Sequence, residues 1–321
     1  MSRLYIIGNG FDIAHGIPTK YSDFRDYCER NIPEMYEKLS RYYGDQIDDL
    51  WCSFEENMPS ISQNAIFDWA TINNPDWNQN MNGYDRFIDE IRNEVDYVDT
   101  IKTDFTEWIQ SIELANVHRL YHLLLEDSLF MTFNYTLTLE NVYQVNPDQV
   151  LHIHGCVRGN FPQLILGHNM QDAEINDIFT SEDEIQQEAC SEVANLVKGW
   201  RKDTQAVIAE NEDFFSILAD ITDVYVLGHS MADVDLPYFE HVRDIVNEGA
   251  IWHISYYGDN DRQGKERVAG RLDLRSFELI QLDDLRRARE GESYSSFIDG
   301  RIGCSSLFCQ GKKREFILCR N

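Results

Sequence analysis

The chain has 321 residues, 43% of them hydrophobic and 12% aromatic, proportions that suit a folded globular protein of one large α/β domain with insertions or of two small domains. Fifty-six Asp and Glu stand against 28 Lys and Arg, a formal charge of −28. Such a surface repels phosphate backbones and anionic lipid, which disfavours direct nucleic-acid or membrane binding, and the apolar runs are shorter than the ~20 residues of a membrane span.

Leu4-Tyr5-Ile6-Ile7 reads as a buried strand, and it starts too early to leave room for a secretory signal. It opens directly into Gly8-Asn9-Gly10-Phe11-Asp12-Ile13-Ala14-His15-Gly16-Ile17-Pro18. A strand that runs into paired glycines is how a mononucleotide fold begins: Gly8 tolerates unusual backbone angles, and the missing side chain at Gly10 lets a phosphate approach the main chain. Gly16 comes too late for the dinucleotide fingerprint G-x-G-x-x-G, so a plain tight turn fits the spacing equally well.

Residues 21 to about 125 read as a helical insertion. Phe87, Ile91, Val95, Val98, Ile101, Phe105, Trp108 and Ile112 recur at three- and four-residue steps and predict one long amphipathic helix whose aromatic stripe is core. The polar run from Asn73 to Asn80 reads as a loop between helices. Strands follow at Leu129–Phe133 and Val150–Ile153, with a weaker one at Leu164–Leu166. A second helical insertion, about 172–212, carries Glu182, Asp183, Glu184, Glu188 and Glu192 as a solvated acidic face. Val224–Leu227 and Ile251–Tyr256 complete the strands. Near-continuous apolar strands separated by helices predict a Rossmann-like, doubly wound parallel α/β sheet within a single domain spanning 1–321, and the segment 291–321 is not placed.

Seven cysteines are scattered without a C-x-x-C pair, as suits reduced thiols in the cytoplasm. Cys304, Cys309 and Cys319 match no zinc-knuckle spacing, and Lys312-Lys313-Arg314 reads as a solvated tail. No metal is expected.

In an open parallel sheet, ligands bind beyond the carboxyl ends of the strands. Those ends carry the glycine loop, then Met131-Thr132-Phe133-Asn134-Tyr135-Thr136, then His152-Ile153-His154-Gly155, then Gly228-His229-Ser230, and finally Tyr256-Tyr257-Gly258-Asp259-Asn260. The two histidines around Ile153 point to opposite faces, so at most one enters a given pocket. His152 reads as a structural partner of the sheet, and His15 as either a substrate contact or a helix cap. Adjacent His229 and Ser230 point apart and lack a G-x-S-x-G elbow, which argues against a serine hydrolase. Chelation by His152, His154 and His168 has no support in the spacing.

The glycine loop through Gly16-Ile17-Pro18, Thr132-Phe133-Asn134, His154-Gly155 and Gly228-His229-Ser230 resemble the motifs of sirtuins in order. The fuller strings Ile-Ile-Gly-Asn-Gly-Phe-Asp-Ile-Ala-His-Gly, Phe-Asn-Tyr-Thr, His-Ile-His-Gly and Leu-Gly-His-Ser-Met resemble the AbiH family more closely. AbiH proteins act in bacterial abortive infection against phage, and the family is regarded as a sirtuin-like offshoot. The departures are Thr19-Lys20-Tyr21 after Gly-Ile-Pro, with Asp23-Phe24-Arg25 displaced by four residues, and Thr136 in place of an aspartate. The four zinc cysteines of the sirtuin small domain are absent, so no zinc-binding small domain is expected and protein deacylation is disfavoured.

The resemblance implies NAD⁺ as substrate, cleaved to nicotinamide and ADP-ribose. Gly8, Asn9, Gly10, Phe11, Gly16, Thr132, Gly228, Ser230 and Tyr256 would bind the dinucleotide. Asn134 would hold the ribose or a water, and His154 would act as general base. Asp12 would steady the developing sugar cation or cap the helix. Control by homo-oligomerisation or by a phage-derived trigger is expected, since the activity is toxic. The alternative is a non-catalytic sensor of NAD or ADP-ribose acting through a partner protein. A nucleotide-processing enzyme of another kind on the same scaffold is a third reading.

Overall fold

The computed structural model describes residues 2–159 and 163–286. Its centre is an all-parallel sheet of β1 (Ser2–Ile7), β2 (Ser128–Thr132), β3 (Val150–His152), β4 (Ile221–Leu227), β5 (Ile251–Tyr256) and β6 (Phe277–Gln281), in the spatial order β3-β2-β1-β4-β5-β6. This is the Rossmann order, and its direction of winding reverses between β1 and β4, where ligands bind in such sheets.

Alternation along the strands sends successive side chains to two separate apolar layers. Leu4, Ile6, Val224 and Val226 face one layer, covered by α12 (Thr204–Glu210), α13 (Glu212–Ser216), α14 (Leu236–Ile245) and α15 (Gly258–Arg271). Tyr5, Ile7, Tyr225 and Leu227 face the other, with Phe11 of α1 (Asn9–Ala14), Leu139 of α9 (Thr138–Asn141), and Tyr121 and Leu123 from the irregular stretch before β2. Burial on both faces explains the uninterrupted apolar runs in the sequence.

The first insertion holds α2 (Tyr21–Asn31), α3 (Pro33–Tyr43), α4 (Ile47–Cys52), α5 (Phe54–Asn57), α6 (Gln63–Asn73), α7 (Met81–Asp99) and α8 (Ile101–Gln110). The single long helix expected across 87–112 is therefore two. The Thr100 hydroxyl hydrogen-bonds the Tyr97 carbonyl at 2.7 Å, a local bond that competes with the helical ladder. The aromatic stripe is nevertheless buried on both sides of the break.

In the second insertion, α10 (Asp172–Ile178) and α11 (Glu184–Gly199) share one apolar cluster with the first insertion. Glu188 and Glu192 are not merely solvated, because both bond Arg92 of α7, at 2.9 and 2.8 Å.

Two strand assignments change. Leu164–Leu166 is not a strand: Gly155, at φ +78, turns the chain back, and only single bonds tie the segment to the His154 carbonyl and to the Tyr135 hydroxyl. The last strand is instead Phe277–Gln281, an edge strand whose apolar residues are interrupted by Glu278, which hides it from a search for continuous apolar runs. The three C-terminal cysteines, the Lys312–Arg314 cluster and the segment 291–321 lie outside the described residues. Among those residues, no helix is long and apolar enough to cross a membrane.

Candidate active site

The site begins where the loop after β1 meets the loop after β4. The Gly8 N–H donates to the Leu227 carbonyl at 3.0 Å and the Gly10 N–H to the Gly228 carbonyl at 2.7 Å. A Cβ on Gly10 would lie 2.7 Å from the Gly228 oxygen, and one on Gly8 would lie 2.4 Å from His229 Cα. The neighbour that comes close to the Gly10 main chain is thus the Gly228 carbonyl, where a phosphate was expected. These glycines let two strand-end loops touch.

In front of this junction lies a cavity of about 480 Å³, within the size range of small-molecule sites. Its sheet side is formed by Asn9, Gly10 and Asp12 after β1, Phe133, Asn134 and Thr136 after β2, His154 after β3, and Gly228, His229, Ser230 and Asp235 after β4. Its outer side comes from the first insertion, through Trp51, Cys52, Glu55, Glu56 and Phe105. Phe105, read from the sequence as core, therefore also walls the cavity, beside Ile109.

Other candidates from the sequence are not on this wall. Gly8 lies beneath it. Phe11 is buried in the layer behind the sheet, and Gly16 sits at φ +74 in the turn ending α1. Thr132 accepts the Asn134 N–H at 3.1 Å and shapes the turn. Tyr256 accepts a hydrogen bond from Gln281 Nε2 at 3.3 Å at the far end of the sheet. His15 closes α1, with Nδ1 2.7 Å from the Phe11 carbonyl and Nε2 2.8 Å from the Tyr143 hydroxyl.

Asp12 and Asn134 form one polar pole of the cavity. Asp12 is fully buried and does not cap its helix. Its Oδ2 accepts the Thr136 hydroxyl. Burial raises the Asp12 pKa to about 6 against the hydrogen bonds that hold it down. Asp12 Oδ1 and Asn134 Oδ1 are buried without hydrogen-bond partners, on two residues that line the cavity.

A second polar group of the cavity is built on His154, 2% exposed. Burial, with Lys202 and His229 nearby, pushes its pKa well below the usual histidine value, so the ring is neutral at pH 7. Its Nε2 lies 3.6 Å from Asp235 Oδ1 and has no hydrogen-bond partner. His152, one pleat away, is committed elsewhere, with Nδ1 3.1 Å from the Asn134 carbonyl and Nε2 2.9 Å from Glu140. His168 is also occupied: Nδ1 accepts the Met170 N–H and Nε2 meets the Val197 carbonyl. Among the described residues, no group of three or more His, Cys, Asp or Glu is arranged to hold a metal ion.

Glu55, Lys202 and Asp235 were not legible as site residues. Lys202 Nζ is 2.9 Å from Glu55 Oε1 and 3.4 Å from Asp235 Oδ1, with its side chain fully buried. Pro237, in the first turn of α14, marked a helix start near Asp235. Nothing in the sequence marked Glu55 or Lys202, which belong to different insertions. Asp23, Phe24 and Arg25 have local roles, Asp23 accepting the Lys20 N–H and Phe24 lying in the core.

Residues 4–256 match the model of the family described as bacteriophage abortive infection AbiH. The chain belongs to that family, whose description suggests a role in abortive infection. No curated protein matches the chain.

Proposed function

For this member of the AbiH family, we propose that the cavity binds NAD⁺ and hydrolyses the bond between nicotinamide and ribose through a sirtuin-like site. The observation that carries the reading is a pair of unpartnered buried acceptors, Asp12 Oδ1 and Asn134 Oδ1, on residues that line one cavity together with the neutral His154. Two orphan acceptors suit the vicinal hydroxyls of a ribose, and a neutral imidazole suits a base.

In the proposed reaction the C1′–N1 bond breaks and its electron pair passes to the pyridinium ring, which leaves as neutral nicotinamide. The sugar becomes an oxocarbenium ion. Asp12, ionised above about pH 6, steadies that cation across a cavity of low polarizability. Asn134 accepts a ribose hydroxyl. A water then forms the new C1′–O bond while its proton passes to His154, giving ADP-ribose. Asn9, Gly10, Gly228 and Ser230 border the remainder of the dinucleotide. Loss of cellular NAD⁺ is a sufficient basis for abortive infection. The proposal therefore includes control of the activity, by homo-oligomerisation or by a phage-derived trigger.

The test incubates the purified full chain with NAD⁺, with and without phage lysate, and follows nicotinamide by chromatography. His154→Ala and Asn134→Ala are each expected to lower release by about 10²-fold or more. Turnover unaffected by either change would place the chemistry elsewhere. Saturable NAD⁺ binding without turnover under every condition would make the protein a sensor.

A further inference from the structure

The cavity has a second polar centre that the reaction above leaves unused. Asp235 precedes α14, a position from which aspartate ordinarily caps its own helix. Its carboxylate makes no cap hydrogen bond and borders the cavity instead. Oδ1 stands 3.6 Å from His154 Nε2 and Oδ2 stands 3.6 Å from His229 Nε2.

We propose that Asp235 is the positioning residue of this site: its carboxylate holds His154 as the neutral tautomer protonated on Nε2, leaving Nδ1 as the base, and Lys202 anchored by Glu55 keeps that carboxylate ionised. The assignment of Nδ1 as base rests on the hydrolase reading; the tautomer does not.

His229 supplies the first support. Its Nδ1 accepts the Met231 N–H at 2.8 Å, so its own proton lies on Nε2, toward Asp235. The same logic applies to His154 across the carboxylate. A lone pair on His154 Nε2 would face the lone pairs of Asp235, whereas a proton there faces opposite charge. The two ring nitrogens point to opposite sides of an imidazole, so Nδ1 is turned away from Asp235. At 3.6 Å the contact is longer than a hydrogen bond, and such bonds in unliganded sites tighten when substrate arrives.

Phe133, Tyr135 and Tyr238 present rings to His154, while Lys202 and His229 oppose its protonation. Burial, with the charges of Glu55 and Glu56, raises the Asp235 pKa to about 6, and Lys202 works against that, so the carboxylate is ionised at pH 7 and above. Lys202 is in turn fixed by Glu55, whose Oε1 also accepts the Gly167 N–H at 3.1 Å and whose Oε2 accepts the Tyr21 hydroxyl at 3.2 Å. Glu55 belongs to the first insertion and Lys202 follows α11 of the second. Both insertions therefore reach the histidine through one carboxylate.

Nitrogen-15 spectra of histidine-labelled full-length protein test this, with the His154 signal assigned by its loss in His154→Ala. In the unsubstituted protein His154 should be neutral with its proton on Nε2 from pH 7 to 8. In Asp235→Asn the Nδ1-protonated form should become populated, and kcat for nicotinamide release should fall about 10²-fold with little change in KM. Should the single change unfold the chain, Asp235→Asn with Lys202→Met removes both charges together and is expected to give the same tautomer change. A tautomer change in a protein that never turns over NAD⁺ would support the positioning role while removing the hydrolase reading. A His154 tautomer that is the same with and without the Asp235 carboxylate overturns the proposal, whatever the activity.

Discussion

Asp12 shows how a single residue can oppose folding while serving a site. Burial raises its pKa from the ordinary 3.8 to about 6, so between those values the folded protein holds a proton that the unfolded chain has lost. Stability therefore falls as pH rises through that window, and above it the full cost of about 3 kcal/mol is in place. Asp12→Asn is expected to raise unfolding stability by up to that amount at pH 7 and to leave it unchanged near pH 4, as read by urea denaturation. Nicotinamide release should fall in the same variant. Equal stability of the two proteins at pH 7 would mean that the carboxylate is solvated rather than buried. The sequence placed Asp12 five residues beyond a strand end but left its role open between cap and site. Thr136, 124 residues away, settles which contacts it makes.

At the scale of elements, the loops after β1 and β4 depend on each other. Gly228 sits at φ +66, and a Cβ there would lie 2.2 Å from the Phe11 nitrogen; Gly16 sits at φ +74 with open space around it. Gly16→Ala should cost only the left-handed backbone penalty of about 1–2 kcal/mol. Gly228→Ala should cost that and a main-chain clash of roughly 1–3 kcal/mol more, and should perturb His229 and Ser230 as well. Thermal unfolding of the two variants side by side distinguishes them, and equal losses would show that the loops do not interlock. The doubled glycine was visible in the sequence, but its partner glycine 218 residues later was not assignable to it. The strands buried on both faces were readable from composition. The edge strand β6 was not, because Glu278 breaks its apolar residues into a single Phe277 and the short pair Leu279-Ile280.

Across the whole molecule, the cavity is half sheet and half insertion. Cys52 is exposed and lines it, whereas Cys28 and Cys190 are buried. NAD⁺ should therefore slow alkylation of Cys52, followed by peptide mass spectrometry, without changing the low reactivity of Cys28 and Cys190. Undiminished labelling of Cys52 at saturating nucleotide would remove the insertion from the binding site. With a formal charge of −28, the chain also binds any anionic ligand against its own field. By itself the sequence determined five of the six strands, their parallel arrangement, the strand ends that carry Asn134 and His154, and the family resemblance. Each of these is written in short stretches of chain, in apolar runs and local strings. Tertiary structure decided which side chains share the cavity, that Gly10 faces Gly228, and that Glu55, Lys202 and Asp235 form one charged cluster. Those facts depend on contacts between segments far apart in the chain, where hydrophobic periodicity fixes which face is buried but not which polar groups meet there.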